Sequence, residues 1–429
     1  LLPLVMFGIF GDKGDIMKHS LLGLFLFFFA FFFALFFNGC SESENVNAPD
    51  ASLENISSAS VENSLVLSSG VEKDSLSVST STTRQTCEEN GAFAWVSQGS
   101  TYKICENGVW KEHQVTASTT GFDPCKFNFG AAWQAASEDK EHYAGADYIA
   151  VWLGDNDFYN AFEARMIDMC LEVKATPMIY AYVIAEFGKD HGLSDCDMAK
   201  ESTHCTHGAS LIREFFADSI LARYKAYAVG MREQIEFYYS MDPKEFESIW
   251  LIEPDFYQYS HSGSEQKVRY DSIAQVGGGI PDSLMGVYFE QIVQVIRQEL
   301  PKAKIAIDIS PWIENPESWY SNFNLDVIDF ASTSGGRTLA GSEKIRSGNP
   351  MTWKQIAEIT GKPILADAGY DKGGKGTGHA QIWDDVSNIK ARLADGVIGV
   401  MQMDAALDYP KRLDTIRVQL ENPLPQCKL

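Results

Sequence analysis

The chain has 429 residues, a formal net charge of -23 and a hydrophobic content of 45%. Its length accommodates one large domain with smaller additions, because a barrel of alternating strands and helices takes roughly 250 residues. The acidic balance excludes nucleic acid as a partner, since phosphate groups attract a basic surface. It is typical of an exported protein that meets a neutral substrate.

Residues 1–40 are interpreted as an upstream extension followed by a lipoprotein signal peptide. A basic start at 17–19 and a Leu- and Phe-rich run over 21–37 lead to Gly39-Cys40. This order resembles a bacterial lipoprotein signal, in which the cysteine, here Cys40, is lipidated. The alternative is a membrane-spanning helix, which needs about 20 apolar residues. Because Ser41 follows the cysteine, we expect a lipid-anchored protein at the outer membrane or cell surface of a Gram-negative bacterium.

Two short regions separate the signal from the main domain. Residues 41–86 contain no Trp, Tyr or Phe, so they cannot bury enough apolar surface to offset the cost of ordering and are predicted to be a disordered, Ser-rich tether. Residues 87–115 alternate apolar and polar side chains and contain an Asn-Gly turn signal. They are predicted to form a small β module stapled by Cys87 and Cys105.

Residues 122–429 are predicted to form one (β/α)8 barrel of the TIM type, because short apolar runs alternate with helical patterns. The connections between them are uneven, so a distorted barrel is included in this prediction. The predicted strands are Phe127–Ala131, Tyr148–Leu153, Met178–Ile184, Ile249–Ile252, Lys304–Ile309, Val327–Ala331, Pro363–Ala366 and Val397–Met401. Two helices are expected to bury one apolar face each. These faces are Ile220, Tyr224, Ala228, Met231 and Ile235 in the first helix, and Leu284, Val287, Ile292 and Val295 in the second.

The cysteines are interpreted as those of an exported protein, in which disulfides persist. The predicted pairs are Cys87–Cys105, Cys196–Cys205 and Cys125–Cys427, with Cys170 left as a buried thiol. Zinc is the alternative for the second pair, and its ligands would come from His191, Cys196, His204, Cys205 and His207. An oxidising compartment favours the disulfide, so neither a metal nor another cofactor is predicted.

Acidic and aromatic residues end or follow most of the predicted strands. Because the carboxyl ends of barrel strands build the active site, these side chains are expected to share one mouth. Glycoside cleavage needs one protonated acid and one carboxylate that acts as base or nucleophile, and crowding of carboxylates raises a pKa. The catalytic candidates are Asp255, Asp195, Glu253 and Asp367. The substrate-binding candidates are Trp152, Asp155, Tyr180, Tyr182, Trp312, Tyr370, Gln402 and Asp404.

Several segments resemble glycoside hydrolase family 6, which contains inverting cellobiohydrolases and endoglucanases. They are Trp152–Asp155, the Tyr180/Tyr182 strand, Ser194–Cys196, Arg223–Tyr227 and Ile249–Asp255. The resemblance implies that Asp255 is the general acid, that Asp195 tunes it, and that a monomeric enzyme cleaves a cellulose-like β-glucan of plant cell walls. The family's barrel is incomplete, whereas Val397–Met401 adds a regular last strand here.

Two alternatives stay open. A retaining barrel glycosidase would use Glu253 after the fourth strand as acid/base and Asp367 after the seventh as nucleophile. A non-catalytic surface glycan-binding lipoprotein would need the aromatic residues but no adjacent acid and base.

Overall fold

The structure is a computed structural model, and it describes residues 86–87, 93–97, 101–114, 121–133, 139–154, 159–191, 207–263, 279–369 and 378–427. The predicted lipidation site Cys40 and the predicted Cys196–Cys205 pair lie outside these residues. Within them, no helix is long and apolar enough to cross a membrane.

The N-terminal part of the described chain forms a three-stranded antiparallel sheet in the order β1-β2-β3. Its strands are β1 Phe93–Ser97, β2 Thr101–Glu106 and β3 Val109–Gln114. Asn107 and Gly108 join β2 to β3 with positive φ angles of 53° and 76°, which is the tight hairpin turn that an Asn-Gly pair favours. A disulfide joins Cys87 to Cys105, so the predicted disulfide-stapled β module is confirmed.

The larger part is a closed barrel of eight strands, in which each strand pairs in parallel with its neighbours. The strands are β4 Asn128–Ala132, β5 Tyr148–Leu153, β6 Thr176–Ala181, β7 Ile249–Ile252, β8 Lys304–Asp308, β9 Phe330–Ser332, β10 Ile364–Asp367 and β11 Val397–Gln402. The barrel closes where β11 pairs with β4. The predicted fold class is therefore confirmed.

Helices alternate with the barrel strands along the chain. They are α1 Lys140–Tyr143, α2 Ala161–Val173, α3 Val183–Asp190, α4 His207–Phe215, α5 Leu221–Tyr239, α6 Asp282–Glu299, α7 Pro316–Tyr320, α8 Trp353–Thr360, α9 Val386–Ala394 and α10 Tyr409–Arg417. A π-helical turn, Phe216–Ile220, joins α4 to α5.

Alternate residues of each strand supply two apolar layers, because successive side chains of a strand point to opposite faces. The inner cluster fills the barrel and includes Tyr148, Ala150, Met178, Tyr180, Ile249, Leu251, Ala306, Phe330, Leu365 and Ile398. The outer cluster joins strands to helices, and the buried thiol of Cys170 on α2 belongs to it. Strands buried on both faces explain the unbroken apolar runs of the sequence.

Two predicted elements differ from the structure. The strand predicted to reach Ile184 ends at Ala181, and helix α3 begins two residues later. Apolar buried residues continue from the strand into the helix, so the sequence pattern does not show where the strand ends. Helix α6 buries Met285, Phe289, Ile292, Val293 and Ile296. Leu284 and Val287, which were predicted on its buried face, are 42% and 46% exposed. The predicted face of α5 is confirmed, since Tyr224, Ala228, Met231 and Ile235 are buried. Ile220, its fifth predicted residue, is also buried but belongs to the π-helical turn before α5.

Covalent and polar contacts join the two ends of the chain that forms the barrel. A disulfide joins Cys125 to Cys427 across 302 residues, and the backbone amide of Leu424 donates to the carbonyl of Cys125 at 2.7 Å. The carboxylate of Asp147 is fully buried and binds Lys126 at 2.7 Å and Arg417 at 2.6 Å. These contacts join the segment before β4 to the segment after β11.

We predict that removing the Cys125–Cys427 bridge destabilises the barrel, because the bridge constrains a very long loop in the unfolded chain. The double variant Cys125→Ser/Cys427→Ser should lose about 2–4 kcal/mol of unfolding free energy, read as a lower Tm under non-reducing conditions. The control Cys87→Ser/Cys105→Ser removes the bridge of the small sheet and should leave the barrel transition unchanged. Equal Tm values for the wild type and the first variant would contradict this role.

Candidate active site

Four acidic side chains lie at the carboxyl ends of three barrel strands. Asp308 ends β8 and Asp367 ends β10, while Glu253 and Asp255 follow β7 directly. In a parallel barrel these ends form a single rim, where enzymes of this fold place their catalytic groups. The charges of Asp255 and Asp367 both raise the pKa of Asp308, so the three carboxyl groups lie close enough to affect one another.

Asp255 is the partly exposed member of this set. Its carboxylate accepts hydrogen bonds from the phenol of Tyr182 and from the side-chain amide of Gln258. Gln258 belongs to the short helical turn Phe256–Tyr259, which follows directly. Each of its two oxygens thus accepts from one donor, which fixes the orientation of the carboxylate.

Aromatic side chains adjoin this carboxylate. The ring of Trp152 at the end of β5 lies 4.7 Å from the ring of Tyr180 and 5.8 Å from that of Tyr182, between centroids. Trp152 and Tyr182 are partly exposed, whereas Tyr180 is fully buried in the barrel. Tyr180 therefore supports Trp152 from below. Trp312, which follows β8, is 44% exposed.

Asp308 is a buried acid with one satisfied oxygen. Its Oδ1 accepts a hydrogen bond from the hydroxyl of Ser334 at 2.7 Å, and its Oδ2 has no hydrogen-bond partner among the described residues. Burial raises the pKa of Asp308 well above its ordinary value, and the charges of Asp255 and Asp367 add to the effect, while Ser334 and Arg346 oppose it. The folded environment therefore favours the protonated form of Asp308.

Asp367 is fully buried in the same way. Its Oδ1 accepts the backbone amide of Gly369, and its Oδ2 has no hydrogen-bond partner in the described part of the chain. Burial raises the pKa of Asp367 to about 7, against the opposing effects of the Gly369 amide, the charge of Arg346 and the Gly335 amide. Gly369 has φ of +79°, and a Cβ there would lie 1.9 Å from the carbonyl oxygen of Gly336, so only glycine fits at this donor.

Arg346 is a buried cation between the loops that follow β8 and β9. Its guanidinium donates to the carbonyls of Ile309, Ser334 and Gly335 at 3.2, 2.8 and 2.9 Å, and its charge lowers the pKa values of both buried aspartates. The sequence analysis missed Arg346 because it lies in a long connection between β9 and α8, without a local motif. Ser334, which hydrogen-bonds Asp308, was missed for the same reason.

Glu253 is fully buried and has a positive φ of 42°, which costs a residue other than glycine about 1 kcal/mol or more. Its carboxylate accepts the backbone amides of Ile184 and Ala185 at 2.9 and 3.2 Å and the phenol of Tyr224 at 3.1 Å. Burial raises the pKa of Glu253 to about 8 despite these hydrogen bonds, with a further contribution from the charge of Asp255.

The remaining predicted site residues fall into two groups. Gln402 and Asp404 contact backbone: the Gln402 amide exchanges hydrogen bonds with Ala380 at 3.0 and 3.2 Å, and Asp404 accepts the amide of Gly378 at 3.0 Å. They hold the segment that leads to α9 in place. Asp155, Asp195 and Tyr370 lie outside the described residues, as do the zinc candidates Cys196, His204 and Cys205. Within the described part of the chain, no group of three or more His, Cys, Asp or Glu residues could hold a metal ion.

Comparisons with known proteins give only distant matches. No family model and no curated protein matches the chain. Among solved structures, an endo-1,4-beta-mannanase from Eisenia fetida is 14% identical with a TM-score of 0.39, over 68% of this chain and 91% of that chain. A family 26 endo-beta-1,4-mannanase from Cellulomonas fimi is 13% identical with a TM-score of 0.38, over 67% and 66%. A family 5 glycoside hydrolase from Bacteroides vulgatus is 12% identical with a TM-score of 0.35, over 66% and 59%.

The predicted membership of glycoside hydrolase family 6 is wrong. Two of these solved structures belong to other glycoside hydrolase families, the Cellulomonas fimi enzyme to family 26 and the Bacteroides vulgatus enzyme to family 5. The barrel of this chain is also closed, with β11 paired to β4 over Gly399–Gln402, where the family 6 barrel is incomplete. The matches are too distant to transfer a substrate or a residue's role to this chain.

We predict that the barrel is most stable in mildly acidic solution. The folded pKa values of Asp367 and Glu253 are about 7 and about 8, above their ordinary values near 3.8 and 4.5, so between these limits the folded chain holds protons that the unfolded chain has released. This stabilisation is complete below about pH 4 and is lost as the pH rises to 8. Tm should fall steadily between pH 5 and pH 8.5.

The control for this pH dependence is Asp308→Asn, which removes one of the buried titrating groups. An amide that replaces the unpartnered Oδ2 breaks no hydrogen bond of the described residues. The variant should lose Tm less steeply with pH than the wild type. Parallel curves, or a wild-type Tm that rises with pH, would show that the buried acids do not titrate as described.

Proposed function

We propose that this chain is a glycoside hydrolase that cleaves a β-linked plant cell-wall polysaccharide by acid/base catalysis. The observation that carries the proposal is the contrast between two acids of one rim. Asp255 is partly exposed and held by two hydrogen-bond donors, whereas burial raises the pKa of Asp367 to about 7. Glycoside cleavage requires this pairing of an anionic carboxylate with a protonated acid.

The two carboxyl groups take different roles in the proposed reaction. Asp367 donates its proton to the leaving glycosidic oxygen, because an acid with a pKa near the working pH is the most effective donor. Asp255 acts as the anionic partner, either on a water molecule or on the anomeric carbon. The resemblance to family 6 implied that Asp255 is the proton donor, whereas this proposal assigns that role to Asp367. The raised pKa of Asp308 favours its neutral form and so limits the negative charge at the same rim.

The aromatic residues supply the sugar-binding surface in this proposal. Trp152 and Tyr182 are partly exposed beside Asp255, and Trp312 exposes its ring after β8. Such amphipathic rings cover apolar sugar faces while their polar atoms remain solvated. The strongly acidic chain favours a neutral polysaccharide over an anionic one. We also propose a monomer that is exported and anchored through lipidated Cys40, which rests on the sequence alone.

Two other candidates are less well supported. A retaining mechanism with Glu253 as acid/base requires a carboxyl oxygen that is free to bind the substrate, yet both oxygens of Glu253 accept hydrogen bonds from α3 or α5. Asp367 is equally buried, but its Oδ2 has no hydrogen-bond partner among the described residues. A purely glycan-binding protein would use Trp152 and Tyr182. It would have no need for a buried Asp367 with a raised pKa, because ionisable groups in apolar surroundings cost stability.

Asp255→Asn and Asp367→Asn should each reduce turnover by about 10²–10⁴-fold, the usual contribution of general acid–base catalysis. Sugar release is measured on soluble β-glucan, cellulose, xylan and mannan, with the product anomer followed by NMR. Loss in Asp367→Asn should be smaller on substrates with good leaving groups, which need little protonation. The control is Asp326→Asn, an exposed aspartate in the short helical turn Leu325–Val327, which precedes the amino end of β9; it should keep full activity.

The pH dependence provides a second test of the same assignment. Because the proton donor must be protonated, kcat/KM of the wild type should fall as the pH rises through about 7, the pKa of Asp367. Full activity in either variant would refute the assigned roles. Glycan binding without bond cleavage on every polysaccharide would refute the enzyme and favour the binding protein.

A further inference from the structure

Helix α3 begins beside the site without a cap of its own. Its N-cap residue, Tyr182, makes no side-chain hydrogen bond to the helix, although the first backbone amides of a helix need acceptors. Glu253 supplies them from the neighbouring strand, since its Oε2 accepts the amide of Ile184 at 2.9 Å and its Oε1 that of Ala185 at 3.2 Å. The carboxyl group of Glu253, which directly follows β7, thus caps the helix that follows β6.

The same residue that starts α3 also contacts the proposed catalytic carboxylate. The backbone amide of Tyr182 donates to the carbonyl of Leu153 at 2.9 Å, and its phenol donates to Asp255. Glu253 and Asp255 are two residues apart on one loop, and both hold the start of α3. Glu253 accepts the first backbone amides of the helix, and Asp255 accepts the phenol hydroxyl of Tyr182, the N-cap residue.

The conformation of Glu253 depends on these contacts. Its φ of 42° lies in the left-handed region, which a residue other than glycine keeps only when its surroundings fix it. Its amide donates to Ala181 at 2.9 Å, and its carbonyl accepts from Phe256 at 2.9 Å. The phenol of Tyr224 on α5 adds a third donor to its carboxylate at 3.1 Å. The side chain is therefore directed away from the open rim and into the first turn of α3.

We propose that Glu253 is a positioning residue that fixes Tyr182 against Asp255 by capping α3, and that it transfers no proton to the substrate. This inference rests on the proposed hydrolase and on the proposed role of Asp255. Glu253 was predicted to be catalytic because it follows the fourth barrel strand, and this inference gives it a positioning role instead. The phenol of Tyr182 is then the group through which Glu253 acts on the reaction.

The test combines Glu253→Gln with Tyr182→Phe. A glutamine presents an NH2 group to one of the two helix amides and cannot accept from both, so the start of α3 shifts. Each variant should lose about 10-fold in kcat with an unchanged KM. The loss should be equal for aryl glycosides with good and with poor leaving groups. The double variant should lose no more than either single variant, because both changes break the same support.

The control is Glu172→Gln, which changes an exposed acid near the end of α2 that pairs with Lys140, and it should keep wild-type kcat. A loss in Glu253→Gln that is confined to poor leaving groups and is restored by azide would identify Glu253 as the acid/base and overturn the proposal. Additive losses in the double variant would overturn it as well.

Hydrogen exchange tests the capping without any turnover and so separates this inference from the proposed function. In Glu253→Gln, the backbone amides of Ile184 and Ala185 in α3 should exchange faster, while the amides of the barrel strands keep their protection. Unchanged exchange at both amides would overturn the proposal even in an active enzyme. If Glu253→Gln does not fold, Tyr224→Phe removes one of the three donors, and the same exchange measurement decides. Absence of sugar release by the wild type would instead overturn the proposed function.

Discussion

Closure of the barrel between β11 and β4 is the constraint on which the site depends. Parallel pairing of Gly399–Gln402 with Asn128–Ala131 completes the ring, and the Cys125–Cys427 disulfide holds the flanking segments together. Because every strand runs in the same direction, closure collects all eight carboxyl ends on one rim. Acids that are more than a hundred residues apart, such as Asp255 and Asp367, meet there only because the ring is complete.

The acidic side chains of this rim differ in their exposure to solvent and therefore in their pKa values. Glu253, Asp308 and Asp367 are buried, and burial raises the pKa of each. Asp255 remains partly exposed beside two hydrogen-bond donors. Burial favours the protonated form of Asp367, while Asp255 keeps solvent access and two hydrogen-bond donors. The proposed reaction needs only this contrast and no metal or other cofactor. Arg346 limits the repulsion, because its charge opposes the pKa rise of both buried aspartates.

Much of the fold was predictable, because strands buried on both faces leave apolar runs such as Ile249–Ile252 that periodicity detects. The boundary at Ala181 was not, because the apolar residues continue from β6 into α3. The site was predictable only in outline, because the acidic residues that follow the strands could be identified. Their different burial could not, since no sequence pattern distinguishes the buried Glu253 from the partly exposed Asp255. The family resemblance failed because Ile252–Asp255 is a local motif, whereas closure by β11 is a long-range property.

The central claim, that Asp255 and Asp367 act together at this rim, is tested most directly by a crystal structure of Asp255→Asn with a β-linked oligosaccharide. The account predicts a sugar chain across Trp152 and Tyr182, with a glycosidic oxygen within about 2.6–3.2 Å of Asp367 Oδ2. An oligosaccharide that binds at the rim with its glycosidic oxygens beyond reach of Asp367, or that binds away from the rim, would contradict the account.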